Sequence, residues 1–274
     1  MSEAFKVACI QTNSERDVAP NIEAVSGLVR QAHDQGADFI LLPESVNMME
    51  PKGRNVREKI AYEEDDVFLA AFQELAKDLG VWILLGSLLV RISDEQAANR
   101  SILINSNGDV VTSYDKIHMF DVDVGDGQSY RESKLYRPGE SVIVTDTPWG
   151  SLGLTICYDV RFPYLYRALA HQGALFMTVP AAFTRVTGEA HWHVLLRARA
   201  IENGCFIFAP AQTGDHAEGR QTFGHSLIID PWGTVLVDGG TDVGFVMAEI
   251  DPAQVARARG KIPSLTNDRS LSQK

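Results

Sequence analysis

Short apolar runs separated by polar punctuation fill most of the chain, and the period of each run predicts its element. Residues 5–11 predict a strand, and residues 19–35 predict a helix, with Ile22, Val25, Leu28, Val29 and Ala32 at helical spacing. A strand follows over 39–42, then a helix over 66–79 through Phe68, Leu69, Phe72, Leu75 and Leu79, then a strand over 82–90. Residues 101–105 and 110–114 predict a hairpin across Ser106, Asn107, Gly108 and Asp109, because an Asn-Gly pair suits a tight turn. Farther on, a strand is predicted over 151–157, a helix over 163–172 closed by Gly173, a strand over 175–179, and a helix over 189–203 ended by Gly204. Strands over 205–210, 225–229, 235–238 and 244–250 and a short helix over 253–259 complete the pattern.

About ten strands against five helices, with hairpins that mix strand directions, predict an α+β fold. Two sheets facing each other with helices outside would bury the continuous apolar runs, a four-layer α-β-β-α sandwich. No linker and no fixed-period repeat interrupts the chain, which reads as one domain over 1–260 and a polar C-terminal tail over 261–274. Two polar stretches, 120–140 (with Gly125, Gly127 and Glu132) and 211–224, read as long loops, and such loops commonly wall a pocket.

Composition narrows the function. Lys and Arg number 25 against 36 Asp and Glu, a formal charge of −11, which argues against nucleic acid or an anionic membrane as partner. An anionic substrate is not excluded, since the field in a pocket can oppose the net charge. The 3 cysteines show neither disulfide-framework nor zinc spacing. Cys9 and Cys205 lie in apolar runs and read as core. No run reaches about 18 apolar residues, and no charged-then-apolar leader opens the chain, so a reducing cytoplasm is the expected location.

Three predicted strand ends carry chemistry. Cys157 stands where an apolar run meets a turn and Pro163, and a helix N-terminus there would favour thiolate. Glu44 follows Leu42 and Pro43, and Lys116 follows the hairpin strand. Ligand sites gather at the carboxyl ends of strands in helix-covered sheets. Taken singly, Cys157 also reads as a core thiol, Glu44 as a helix-starting acid and Lys116 as a surface cation; their joint occurrence carries the chemical reading.

With these flanks the chain resembles the nitrilase superfamily of carbon–nitrogen hydrolases, in its amidase branch. The stretches that carry the resemblance are Leu42, Pro43 and Glu44; Tyr114 to His118; Ile156 to Pro163; Ala190 to Trp192 running into Leu196 to Glu202; Phe223 to Ser226; and Asp230 to Gly233. The resemblance implies the same four-layer fold, a catalytic triad of Glu44, Lys116 and Cys157, and an auxiliary acid at Glu132. It permits amide hydrolysis through a thioester, with Glu44 as base, Cys157 as nucleophile, and Lys116 and the backbone N–H of Tyr158 as oxyanion donors.

The substrate is less constrained. The stretches around residues 187–202 and 224–234 are most similar to deaminated-glutathione amidases; those around 116–123 and 132–134 resemble ω-amidases acting on 2-oxoglutaramate equally well. Another small amide or N-carbamoyl compound stays open. Arg161, Phe183, Thr187 and His191 are the candidate substrate-binding residues, and Arg161, Arg185 or Arg220 could hold a substrate carboxylate. His118 and His191 are expected to line or brace the site. No cofactor and no metal are expected, since His191 and His193 stand two apart on a predicted helix and point to different sides. A homodimer is the expected assembly, formed through residues 162–172. A non-catalytic binding scaffold is the alternative of another class; it predicts loss of a triad residue, and all three are present.

Overall fold

A computed structural model describes residues 3–123 and 129–269. In the strand Phe5–Gln11, Phe5, Val7 and Cys9 belong to the core between the sheets, whereas Ala8 and Ile10 pack toward the helices Val18–Asp34 and Val67–Leu79. That alternation is the period of a strand buried on both faces. The neighbouring strands Phe39–Leu41 and Trp82–Arg91 repeat it: Phe39, Leu41 and Leu84 face inward, Ile40, Ile83 and Leu85 outward.

The first sheet runs, edge to edge, Gly244–Ile250, Phe5–Gln11, Phe39–Leu41, Trp82–Arg91, Ala97–Ile104 and Val110–Asp115. The second runs Val144–Thr147, Gly150–Leu154, Phe176–Thr178, Phe206–Ala209, Leu227–Ile229 and Val235–Asp238. In those orders both sheets pair antiparallel, parallel, parallel, antiparallel, antiparallel. Helices Pro163–His171 and Arg185–Asn203 pack with the second sheet, which completes the layers α-β-β-α. The fold is the expected α+β sandwich of two mixed sheets.

Helix ends follow the sequence. Asp66 caps Val67–Leu79 by accepting from the Phe68 and Leu69 N–H groups, both at 2.9 Å. Gly80 and Gly204 take left-handed φ just past two helices. A short helix, Gly53–Lys59, escapes the pattern because only Val56 is buried in it. The helix Arg185–Asn203 begins four residues before the expected start, its first turn being polar. The two long polar stretches are not structureless: each holds a two-stranded hairpin, Asp121–Asp123 with Ser129–Arg131 and Thr213–Asp215 with Gln221–Phe223. Gly125 and Gly127 lie outside the described residues.

The carboxyl ends of the two sheets are stitched together. Thr12, just past the first strand, donates to Ala211 O at 3.4 Å and accepts from the Thr213 N–H at 2.8 Å. Among the described residues no helix is long and apolar enough to cross a membrane.

Candidate active site

Glu44 is delivered by a turn that a bulge in the next strand holds open. The pairing of Trp82–Arg91 with Ala97–Ile104 shifts register between Leu85 and Leu88, at Gly86 and Ser87. Ser87 Oγ accepts the Ser45 N–H at 2.9 Å, Ser87 N–H donates to Pro43 O at 3.2 Å, and Val46 N–H donates to Ser87 O at 3.1 Å. Ser45 there has φ +55. A Cβ on Gly86 would overlap the Leu42 carbonyl and stand 2.5 Å from Pro180 Cβ. Only glycine lets the Glu44 turn approach the second sheet at this point.

Cys157 corrects the expected strand end. The strand Gly150–Leu154 stops three residues earlier, and Cys157 opens a 3-10 turn, Cys157–Arg161, with φ +47. Such a conformation costs a non-glycine residue about 1–3 kcal/mol and needs surrounding restraint. The restraint is visible. Cys157 N–H donates to Pro180 O at 2.9 Å. The buried Asp159 carboxylate accepts the Ile156 N–H at 2.9 Å, the Tyr114 hydroxyl at 2.7 Å, the His118 N–H at 3.1 Å and His118 Nδ1 at 2.7 Å. Asp159 thus ties the Cys157 turn to the strand end that carries Lys116, and His118 braces the turn.

The three expected residues converge. Glu44, Lys116 and Cys157 are 3%, 1% and 7% exposed. Lys116 Nζ donates to Glu44 Oε1 at 2.9 Å and to Glu132 Oε1 and Oε2 at 3.0 and 2.9 Å. Glu44 Oε1 also accepts Asn99 Nδ2 at 2.9 Å, Glu44 Oε2 accepts the Ala182 N–H at 2.8 Å, and the Cys157 thiol lies beside this carboxylate. Glu132 starts the short turn Glu132–Lys134 and accepts the Phe120 N–H at 2.9 Å.

Burial alone would raise the Glu44 carboxyl, but the Lys116 ammonium and these hydrogen bonds outweigh it and hold Glu44 below its ordinary range. Burial would likewise neutralise Lys116, yet Glu132 and Glu44 keep it protonated well above its ordinary value. Cys157 moves opposite to the expectation of a thiolate. Burial first, then the Glu44 charge, push the thiol well above its ordinary value, and Lys116 only partly offsets them. The five-residue turn carries too little dipole to compete. The cluster holds a protonated thiol beside an ionised carboxylate.

Beside this cluster lies a cavity of about 150 Å³ lined by Glu44, Asn99, Phe120, Tyr130, Glu132 and Arg220, among others. Residues from both polar stretches form its walls. Of the candidate substrate-binding residues, Arg161, Phe183, Thr187 and His191 are not among its described lining. Cys157, Lys116 and Tyr158 are likewise absent from that lining, and the four candidates contact one another or residues beside the Cys157–Arg161 turn. The Arg161 guanidinium lies 5.2 Å from the Phe183 ring and 6.0 Å from the Tyr158 ring, and donates to His191 Nδ1 at 3.3 Å. Phe183 packs on Trp192, with ring centroids 5.0 Å apart, and Thr187 exchanges a hydrogen bond with Thr184 at 2.8 Å. Arg185 is outside the cavity and pairs with Glu189 at 3.5 Å. The Tyr158 N–H follows the nucleophile within the turn, and its ring lies 5.0 Å from Phe120.

Asn99 and Gln212 also build the site, without a role foreseen for them. Gln212 donates to the Glu44 carbonyl at 3.0 Å while its Oε1 accepts from Thr12 Oγ1 at 3.1 Å, so one amide bridges the sheets. Neither carries a signal in the sequence: Asn99 stands between Ala98 and Arg100, and Gln212 between Ala211 and Thr213. Among the described residues one group could hold a metal: His193, His225 and Asp238. There Asp238 accepts from both imidazoles, at 2.9 and 2.8 Å, and the group is separate from the residues lining the Glu44 cavity.

The family described as carbon–nitrogen hydrolase matches residues 6–260. The chain is 40% identical, over 97% of its length and 93% of the other's, to a protein named deaminated glutathione amidase from Yersinia enterocolitica. The crystal structure of the C. elegans NitFhit protein superposes with a TM-score of 0.91 at 34% identity, covering 98% of this chain and 66% of that one, so the chain spans just under two thirds of it. Saccharomyces cerevisiae Nit3, described as a member of branch 10 of the nitrilase superfamily, gives 0.86 at 27% identity, covering 96% of each chain. The chain belongs to the carbon–nitrogen hydrolase family of the nitrilase superfamily, as an amidohydrolase.

Proposed function

We propose that this chain hydrolyses the amide bond of deaminated glutathione through a thioester on Cys157. One observation carries the reading: a single buried carboxylate, Glu44, meets the Cys157 thiol, the Lys116 ammonium and the Asn99 amide. In the resting enzyme Glu44 is ionised and Cys157 protonated. Glu44 takes the thiol proton as sulfur attacks the amide carbon, so the nucleophile forms only when it is used. The oxyanion is held by Lys116 and the Tyr158 N–H, each such donor contributing about 3–4 kcal/mol. Glu44 then returns the proton to the leaving nitrogen, the C–N bond breaks, and the peptide amine departs. Water, deprotonated by Glu44, attacks the thioester; the C–S bond breaks and the thiol regains its proton. Glu132, bonded through both oxygens to Lys116, keeps the ammonium charged and in place.

The enzyme is proposed to act in the cytoplasm, where its thiol stays reduced, and as a homodimer. Tyr164 on the helix Pro163–His171 and Val194 and Ile201 on the helix Arg185–Asn203 are exposed and offer apolar area for that contact, which light scattering would test. The function is tested with purified protein, deaminated glutathione and 2-oxoglutaramate, with products identified by mass spectrometry. Release of 2-oxoglutarate and the dipeptide amine from the glutathione derivative at the higher rate is expected. Faster ammonia release from 2-oxoglutaramate would replace this substrate. Turnover by Cys157→Ala above background would remove the thioester.

A further inference from the structure

Among the described residues, the cavity beside Glu44 holds a cation without a carboxylate counter-ion. Among the described residues, Arg220 has no carboxylate partner, although the chain carries a formal charge of −11. One terminal nitrogen donates to Ala182 O at 3.3 Å, the guanidinium stands 5.8 Å from the Tyr130 ring, and Nε is buried with no acceptor. A buried charged donor left open is costly unless a ligand supplies the acceptor. The other cations near the cavity are occupied. Lys116 is shared by Glu44 and Glu132, and Arg131 pairs with Asp123 at 2.7 Å. Arg161 donates to His191 and lies outside the described lining. His216 next to Arg220 is pushed down to about 4, by burial and then by the Arg220 charge, so a neutral imidazole flanks the guanidinium.

A second buried atom in the same cavity is also open. Asn99 is 3% exposed; its Nδ2 must face the Glu44 carboxylate, so its Oδ1 is the atom left without a donor. An open acceptor suits an N–H of the substrate and repels an anion. The anion's place is therefore Arg220. Ala182 fixes the spacing: its N–H donates to Glu44 and its carbonyl accepts from Arg220, so base and guanidinium are tied to the two backbone groups of one residue.

We propose that Arg220 is the carboxylate-binding residue of the acyl half of the substrate, selecting amides whose acyl chain is short and ends in a carboxylate. It rests on the amidase reading above. A carboxylate would accept from the free Nε and a terminal nitrogen together, the paired geometry that a guanidinium offers and an ammonium does not.

The test compares glutaramate with pentanamide, the same chain with and without the terminal carboxylate, by ammonia release in wild type, Arg220→Gln and Arg220→Lys. The ratio of kcat/KM for glutaramate over pentanamide is expected to fall about 10- to 100-fold in Arg220→Gln, chiefly through KM, since an anchor binds ground and transition states alike. Arg220→Lys restores part of the ratio, because it keeps the charge and loses the fork. A ratio unchanged in Arg220→Gln overturns the assignment while the amidase reading stands. A wild-type protein that hydrolyses neither these amides nor deaminated glutathione overturns both.

Discussion

Both carboxylate oxygens of Glu132 accept from Lys116 Nζ, at 3.0 and 2.9 Å. Glu44 takes the same ammonium at 2.9 Å, so one buried cation holds two acids together. Removing it leaves two carboxylates in a low-dielectric pocket. Lys116→Met should therefore lose about 3–5 kcal/mol of stability in urea unfolding. A loss under about 1 kcal/mol would show that the cluster is solvated. Glu132→Gln keeps an acceptor and should stay folded while kcat falls at least about 100-fold, the range expected when an oxyanion donor is misplaced.

Burial first, and the Glu44 charge after it, hold Cys157 protonated, which makes a counterintuitive prediction. Glu44→Gln should abolish turnover and yet bring the Cys157 thiol down toward its ordinary range, since burial would then act against Lys116 without the neighbouring anion. Thiolate absorbance against pH reads this directly, because burial pushes Cys205 up to about 12 and Cys9 higher still. A titration that does not move, or moves up, rules out the Glu44 contribution.

Gly86 separates the Leu42 carbonyl from Pro180, and each of those residues leads to a member of the Glu44–Lys116–Cys157 cluster. Pro43 and Glu44 follow Leu42, and Pro180 O receives the Cys157 N–H. Gly86→Ala forces backbone apart at the junction of the sheets, an overpacking typically worth about 1–3 kcal/mol. Activity should fall far more than stability, because base and nucleophile shift relative to each other. A variant with wild-type kcat/KM would show that the junction is loose.

Stability in acid should depend on Glu50. Burial works against its ionisation, but Arg16, which donates at 2.8 and 3.0 Å, and the Lys52 N–H at 3.1 Å outweigh it and bring the carboxyl down to about 2. A carboxyl depressed on folding adds stability above its unfolded value of about 4.3, and this is lost as pH falls toward 2. Glu50→Gln should be less stable than wild type at neutral pH and lose less between those limits, by denaturant unfolding at stepped pH. Parallel curves for the two proteins refute it.

Much of the layering is legible along the chain because a strand or helix that buries one face, or both, must repeat apolar residues at its own period. Phe5, Val7 and Cys9 against Ala8 and Ile10 already describe a strand between two layers, and Asp66 and Gly80 bracket a helix by their own side-chain and backbone chemistry. Glu44, Lys116 and Cys157 stand out through their flanks. Helix Gly53–Lys59 and the two hairpins inside the polar stretches do not, since elements that bury so little leave no periodic trace.

The sequence by itself determined which residues to compare: a carboxylate, an ammonium and a thiol near the ends of apolar runs, with flanks that resemble a known family. Only the tertiary structure decided their states and company. Burial and the Glu44 charge hold the thiol protonated, Asp159 in the same turn ties it to Tyr114 and His118, Gly86 spaces it from a remote strand, and Arg220 lines the cavity beside Glu44. Charge states and open hydrogen-bonding atoms depend on distances between segments remote in sequence, and these exist only once the two sheets meet.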